Sequence, residues 1–88
     1  MNDVIRSQPV TGWLLVRRLI AGATDDLQIM SVAAGPLEDF LASHSVAMID
    51  RVLDAARSDP RVMLALGGVW KNAIADEDWR RIENLLGR

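Results

Sequence analysis

The chain has 88 residues, no cysteine and a formal net charge of −2 at pH 7. This length supports a single domain with one hydrophobic core, and the absence of cysteine excludes a disulfide framework and indicates a reducing, cytoplasmic compartment. The mildly acidic balance disfavours nucleic-acid binding, which usually needs a basic surface.

The N-terminal region, residues 1–8, is predicted to form a loose tail ahead of one helical domain at 9–88. It lacks the basic-then-apolar pattern of a signal peptide, and no apolar stretch of the chain is long enough to predict membrane association.

The first helix is predicted from Pro9 or Val10 to about Ala21. Its buried face is predicted to carry Trp13, Val16 and Ile20.

The second helix begins with Asp25 and Gln28, which are spaced as in a capping box. Gly35 and Pro36 then predict a very tight turn, because glycine favours the position after a helix end and proline favours the first position of the next helix. The inward stripe of the second helix is predicted to consist of Leu27, Met30, Ser31 and Ala34.

The third helix is predicted from Pro36 to about Ser43, and the fourth from a cap at Ser43 or Ser45 to about Arg57. Their apolar spacing predicts one buried face on each helix. For the third helix this face contains Leu37, Phe40, Leu41 and His44. For the fourth it contains Val46, Ile49, Val52, Leu53 and Ala56, with Asp54 and Arg57 paired outside.

Asp59 and Pro60 mark the start of the fifth helix, since aspartate caps well and proline suits the first helical position. We expect this helix to continue to about Lys71. The pair Gly67-Gly68 could instead end it or mark a close helix crossing. A final helix is predicted after an Asp76 cap, with Trp79, Ile82, Leu85 and Leu86 facing inward.

These patterns predict an all-α fold of about six short helices, because no segment shows the alternation of a strand. Two architectures remain open. The helices form either stacked helical hairpins, as in HEAT-like folds, or a compact irregular bundle.

The sequence contains no recognisable catalytic, metal or cofactor motif. A metal site needs several suitably spaced ligands, and the chain has one histidine and no cysteine. Ser43, His44 and Ser45 are adjacent, but a catalytic base also needs a third group to orient it, so a half-buried histidine at a helix end is the better interpretation. Gly67-Gly68 with Lys71 lacks the spacing of a phosphate loop. We therefore expect a protein that is not an enzyme and needs no cofactor.

Residues 27–44 have the outline of a helix-turn-helix motif. This outline is the basis for one functional hypothesis, a regulator that binds nucleic acid. The second helix of such a motif faces the DNA. Here that helix would present Glu38 and Asp39 to phosphate groups, and like charges repel. The motif therefore favours a protein partner over DNA.

An ordered set of short motifs carries a family resemblance: Ala33–Asp39 (AAGPLED), Ile49–Arg51 (IDR), Asp59–Arg61 (DPR) and Leu66–Trp70 (LGGVW). The set resembles a group of small bacterial domains of unknown function. The resemblance implies a bacterial, cytoplasmic and mainly helical domain, and it implies no activity.

The hypothesis that follows is a non-enzymatic protein-binding module, with an immunity-like or antitoxin-like inhibitor as one form of it. Acidic groups can steer association with a basic partner such as a nuclease. A homodimer is the main alternative. Helical spacing favours a core position for Trp70, although its polar neighbours leave a surface position open. The predicted partner-binding residues are Glu38, Asp39, Asp50, Arg51, Trp70 and Asn72.

Overall fold

The computed structural model describes residues 2–88 as an irregular helical bundle, with no strand among them. This confirms the all-α prediction and selects the irregular bundle over stacked hairpins. The elements in chain order are α1 (Asn2–Ser7), α2 (Pro9–Gly22), α3 (Asp26–Val32), a π-helical turn (Ala33–Leu37), α4 (Glu38–Ser58), α5 (Pro60–Gly67) and α6 (Asp76–Leu86). No described helix is long and apolar enough to cross a membrane.

The prediction of a loose tail at residues 1–8 is wrong for the described residues 2–8, because α1 packs against the domain, while Met1 lies outside the described residues. The Ile5 side chain is fully buried, and a His44 ring nitrogen lies 2.8 Å from the Ile5 carbonyl oxygen. Gly12 allows α1 to lie close to α2, since a Cβ at position 12 would lie only 3.1 Å from the Ile5 Cα. A six-residue helix shows no clear periodicity in sequence, and its stability comes from tertiary packing.

The predicted turn at Gly35 is a π-helical bend and not a boundary between two separate helices, and the predicted break at Ser43 or Ser45 is absent. Residues 26–58 form one continuous but bent helical segment that passes through the π-helical turn, and we call this segment the helical rod. Pro36 has no N–H to continue the regular hydrogen-bond ladder, and a wider turn accommodates it within the helix. The N–H of Glu38 donates to the Gly35 carbonyl at the end of this turn. The hydrogen-bonded helix is therefore continuous, but it bends, because a straight helix over residues 26–58 would span about 50 Å, whereas the longest extent of the molecule is 31 Å.

The π-helical turn also explains why the predicted inward stripe of the second helix is wrong. In a regular helix, residues 30 and 34 would share a face with 37 and 41. The extra residue in the wider turn shifts this stripe by one, so that Ile29 and Ala33 are buried instead. Leu27 is then left 77% exposed.

The buried face of α4 largely agrees with the prediction. Leu37, Phe40 and Leu41 are fully buried, and His44 is half-buried, although it lies inside the rod and not at a helix end. Val46 is the exception at 82% exposed. The remaining predicted positions, Ile49, Val52, Leu53 and Ala56, are all buried.

The predicted end of the fifth helix is wrong, because α5 stops at Gly67. Both alternative interpretations of the glycine pair hold, since the pair ends the helix and also lies at a close crossing. A Cβ on Gly68 would lie 2.7 Å from the Met30 Sδ and 3.1 Å from the Ala33 Cβ. Asp76 is the first residue of α6 and not its cap. On the inner face of α6, Ile82 is buried, while Trp79, Leu85 and Leu86 are half-buried.

The side-chain caps and the local ion pair agree with the sequence. The Asp25 carboxylate accepts a hydrogen bond from the Gln28 N–H at 2.8 Å. The Asp59 carboxylate accepts one from the Arg61 N–H at 2.9 Å. The Arg57 guanidinium lies 2.8 Å from the Asp54 carboxylate. These contacts depend on residues at most three positions apart, so the sequence alone predicts them.

Candidate functional site

Three of the six predicted partner-binding residues come together in the structure. The Asn72 amide donates a hydrogen bond to the Glu38 carboxylate at the start of α4. Trp70 lies two residues before Asn72 in the loop between α5 and α6. The structure therefore brings Glu38, Trp70 and Asn72 to one part of the surface.

The other three predicted residues lie elsewhere. Asp39 is 3.5 Å from the guanidinium of Arg6 on α1. Asp50 forms an ion pair with Arg81 on α6, and this contact raises the pKa of that guanidinium. Asp50 and Arg51 lie more than three turns beyond Glu38 along α4, about 18 Å at the α-helical rise. The six residues thus do not form one continuous surface.

Trp70 is on the surface and not in the core, against the position that its helical spacing favours. Its side chain is 73% exposed. Helical spacing does not predict the burial of Trp70, because α5 has already ended at Gly67. Buried Val69 precedes Trp70 and anchors the chain, so the indole projects from a fixed point.

The loop that carries Trp70 is held by specific contacts on its C-terminal side. The Ile74 N–H donates to the Lys71 carbonyl at 2.8 Å, which closes a turn containing Asn72. Asn72 has φ 39 and is the non-glycine residue with positive φ in the described chain. Asparagine tolerates this conformation better than most residues, and such conformations cluster at functional sites. The loop is therefore preorganised around Trp70.

Lys71 and Asp76 add an ion pair across the same loop, with Nζ 2.6 Å from the carboxylate oxygen. The hydrogen bond from the Lys71 ammonium, together with its charge, lowers the pKa of Asp76 below its usual 3.8. The stabilisation from this ion pair is fully present at pH values above the ordinary carboxylate pKa of about 3.9. It is lost as the pH falls through the lower pKa that Asp76 has in the folded protein.

We expect the Lys71→Gln variant to raise the pKa of Asp76 towards its ordinary value. An NMR titration of the Asp76 carboxyl carbon measures this, with Arg57→Gln as the control because Arg57 pairs with Asp54 instead. An unchanged Asp76 midpoint in Lys71→Gln would show that the ion pair does not form in solution.

One flank of Trp70 adjoins the helical rod. Gly68 lies against Met30, and Asn72 lies against Glu38, so the loop runs beside the rod between these points. Leu27 lies one turn before Met30 and is exposed. We call these exposed and half-exposed positions the Trp70 surface: Leu27, Met30, Glu38, Trp70 and Asn72. Sequence reasoning missed Leu27 and Met30, because the shift made by the π-helical turn has no simple signal in the sequence.

The other flank of Trp70 opens into a groove of about 410 Å³. We call it the two-tryptophan groove, and it is lined by Gly67, Gly68, Val69, Trp70, Trp79 and Arg88. The Arg88 guanidinium donates to the Gly67 carbonyl at 2.9 Å. Trp79 is half-buried and packs against the core, so it forms the fixed wall opposite Trp70.

The polar groups inside the protein hold helices together. The Ser45 hydroxyl donates to the Asp78 carboxylate at 2.9 Å, and both residues are buried, so this bond ties α6 to α4. His44 contacts the Ile5 carbonyl and the Phe40 ring. The described residues contain no group of three or more histidine, cysteine or acidic side chains that could hold a metal ion.

The structure differs from the helix-turn-helix outline in the link between the two helices. That motif needs two helices at an angle, joined by a short turn. Residues 27–44 are helical throughout, and a π-helical bend that includes Gly35 takes the place of the short turn. Glu38 also bonds to Asn72 and does not stand on a free recognition helix.

The chain belongs to a family of unknown function, DUF6869, whose model matches residues 1–88. The match includes α1, in agreement with the packing of Ile5 into the domain. No curated protein matches the chain, and no solved structure matches it. The family carries no assigned activity.

Proposed function

We propose that this protein is a non-enzymatic protein-binding module that engages its partner through the Trp70 surface. The observation that carries the proposal is the 73% exposure of Trp70 on an ordered loop. Tryptophan is enriched among the few residues that dominate binding energy at protein interfaces. Without a partner to cover it, a large exposed indole in a small domain only adds unfavourable contact between apolar surface and water.

The conformation of the loop supports the same proposal. The turn at Lys71–Ile74 and the bond from Asn72 to Glu38 already hold the segment that presents Trp70. Because its backbone is ordered before binding, association costs less conformational entropy. The half-exposed Met30, which lies against Gly68, adds apolar area beside the loop, and the exposed Leu27 lies one helical turn before Met30.

An immunity-like or antitoxin-like inhibitor is one form of this proposal, but the acidic groups give it little support. Such an inhibitor would attract a basic enzyme through free carboxylates. Asp39 pairs with Arg6, and Asp50 pairs with Arg81. We therefore assign the main contact to the apolar part of the Trp70 surface. The cysteine-free sequence supports action in a reducing compartment such as the bacterial cytoplasm.

Replacing Trp70 with alanine is expected to weaken partner binding by about 30-fold or more, equivalent to about 2 kcal/mol. The experiment compares wild type, Trp70→Ala and Val46→Ala in affinity capture from a native bacterium, followed by titration of each captured protein. Val46 is a suitable control because it is also an exposed apolar residue but lies outside the Trp70 surface. Circular dichroism checks that all three proteins fold.

A partner that binds wild type and Val46→Ala equally and Trp70→Ala weakly supports the proposal. A partner that binds Trp70→Ala with unchanged affinity contradicts it. Recovery of the protein itself, with a dimer seen by analytical ultracentrifugation, favours the homodimer instead. Val10 and Leu14 give that alternative a specific surface, because they are 52% and 54% exposed and one turn apart on α2.

A further inference from the structure

We infer that the two-tryptophan groove binds a peptide segment of the partner protein in which an apolar side chain lies next to a carboxylate. The apolar side chain would contact Trp70 and Trp79, and the carboxylate would pair with Arg88. This inference rests on the proposed function and specifies the chemistry of the partner at the same site.

The shape and lining of the groove match one apolar side chain with its neighbours. Its volume of about 410 Å³ lies within the usual range for binding pockets. The rings of Trp70 and Trp79 line it without stacking on each other, since the ring contacts among the described side chains are those of Phe40 with Trp13 and His44. Gly67 adds no side chain to the groove, and a Cβ there would meet only the Leu86 Cδ2 at 3.9 Å, so a peptide backbone can come close at this point.

Arg88 provides the charge that selects the partner. Its backbone N–H donates to the Glu83 carbonyl at 2.9 Å, in the cap that closes α6 beyond Gly87. Its side chain is held by the Gly67 carbonyl, which is a neutral acceptor. The ion pairs of the described residues involve Arg6, Arg17, Arg57, Lys71 and Arg81, and none involves Arg88.

The Arg88 guanidinium therefore lines the groove with its charge unpaired and with N–H groups left for a second acceptor. A guanidinium has five N–H donors in a planar fork and binds carboxylates in a bidentate manner. A carboxylate beside an apolar side chain complements this lining. A basic segment would be repelled.

The experiment selects binders from a displayed library of random peptides on the wild-type protein, with counter-selection on Trp70→Ala. We expect the enriched peptides to share an aspartate or glutamate beside a leucine or an aromatic residue. The best peptide and its amide version, with the acid changed to asparagine or glutamine, are then titrated against wild type, Arg88→Gln and Arg80→Gln. Arg80 is a suitable control because it is an exposed arginine on α6 that lies outside the groove.

The expected result is a loss of about tenfold or more in affinity when either the peptide acid or Arg88 is neutralised, and little further loss when both are. Arg80→Gln should bind like wild type. The acid-to-amide change in the peptide leaves the protein unaltered, so this comparison tests the inference even if Arg88→Gln folds poorly. Trp70-dependent peptides that lack an acid overturn this inference and leave the proposed function standing. A selection that yields no Trp70-dependent peptide overturns both.

Discussion

Replacing Phe40 with alanine is expected to lower the free energy of unfolding by about 3–5 kcal/mol. Phe40 is fully buried in the rod, and its ring stacks on Trp13 with centroids 5.5 Å apart. The Phe40 ring also contacts the His44 ring, with centroids 5.3 Å apart. A nitrogen of the His44 ring in turn lies within hydrogen-bond distance of the Ile5 carbonyl oxygen. The substitution leaves a cavity where α1, α2 and α4 meet. For a small domain this is a large share of the total stability.

Urea unfolding followed by circular dichroism measures the effect of Phe40→Ala as a change in midpoint at constant slope. Val46→Ala on the same helix is the control, since an 82% exposed side chain should contribute less than about 0.5 kcal/mol. A Phe40→Ala cost below about 1 kcal/mol would show that the aromatic cluster is not the centre of the core. Amide exchange should also rise in α1, because that helix loses its support.

Contacts between nearby residues could be predicted from the sequence. The caps at Asp25 and Asp59 involve backbone groups two or three residues away, and their geometry depends little on the rest of the fold. The α2 helix and its buried residues were also predictable, because the helix ends regularly and one face is uniformly apolar. The same reasoning gives the pair of Asp54 and Arg57.

The path of the rod could not be predicted in this way. Glycine followed by proline normally marks the boundary between helices, and the π-helical turn reverses this expectation. That one change moves Ile29 and Ala33 into the core and Leu27 to the surface. The packing of α1 also escaped prediction, since a single isoleucine in six residues gives no periodic signal.

The candidate site was predictable in composition but not in arrangement. Glu38, Trp70 and Asn72 could be selected as residues without an obvious core position. Their proximity depends on a hydrogen bond between residues 34 positions apart. Asp50 and Arg51 were selected on the same basis, but they lie more than three turns beyond Glu38 along α4. Arg88 escaped selection because a basic residue at the end of α6 already has a structural explanation in the helix dipole.

Replacing Gly68 with alanine is expected to lower the free energy of unfolding by about 1–3 kcal/mol and to weaken partner binding as well. The added Cβ would lie 2.7 Å from the Met30 Sδ, so that side chain must move. It would also lie 3.1 Å from the Ala33 Cβ, which cannot move without the rod. The loop must shift away instead, and Trp70 lies only two residues further along it.

Gly22→Ala separates this steric effect from the general effect of replacing glycine. A Cβ on Gly22 meets nothing within 4 Å, so this variant should be neutral or more stable by up to about 1 kcal/mol. Met30→Ala in the Gly68→Ala background should recover part of the stability, because the closest contact is gone, while the contact with Ala33 remains. A Gly68→Ala protein as stable as Gly22→Ala would mean that the loop and the rod are further apart in solution. In that case the Trp70 surface would lose its link to Met30 and Leu27.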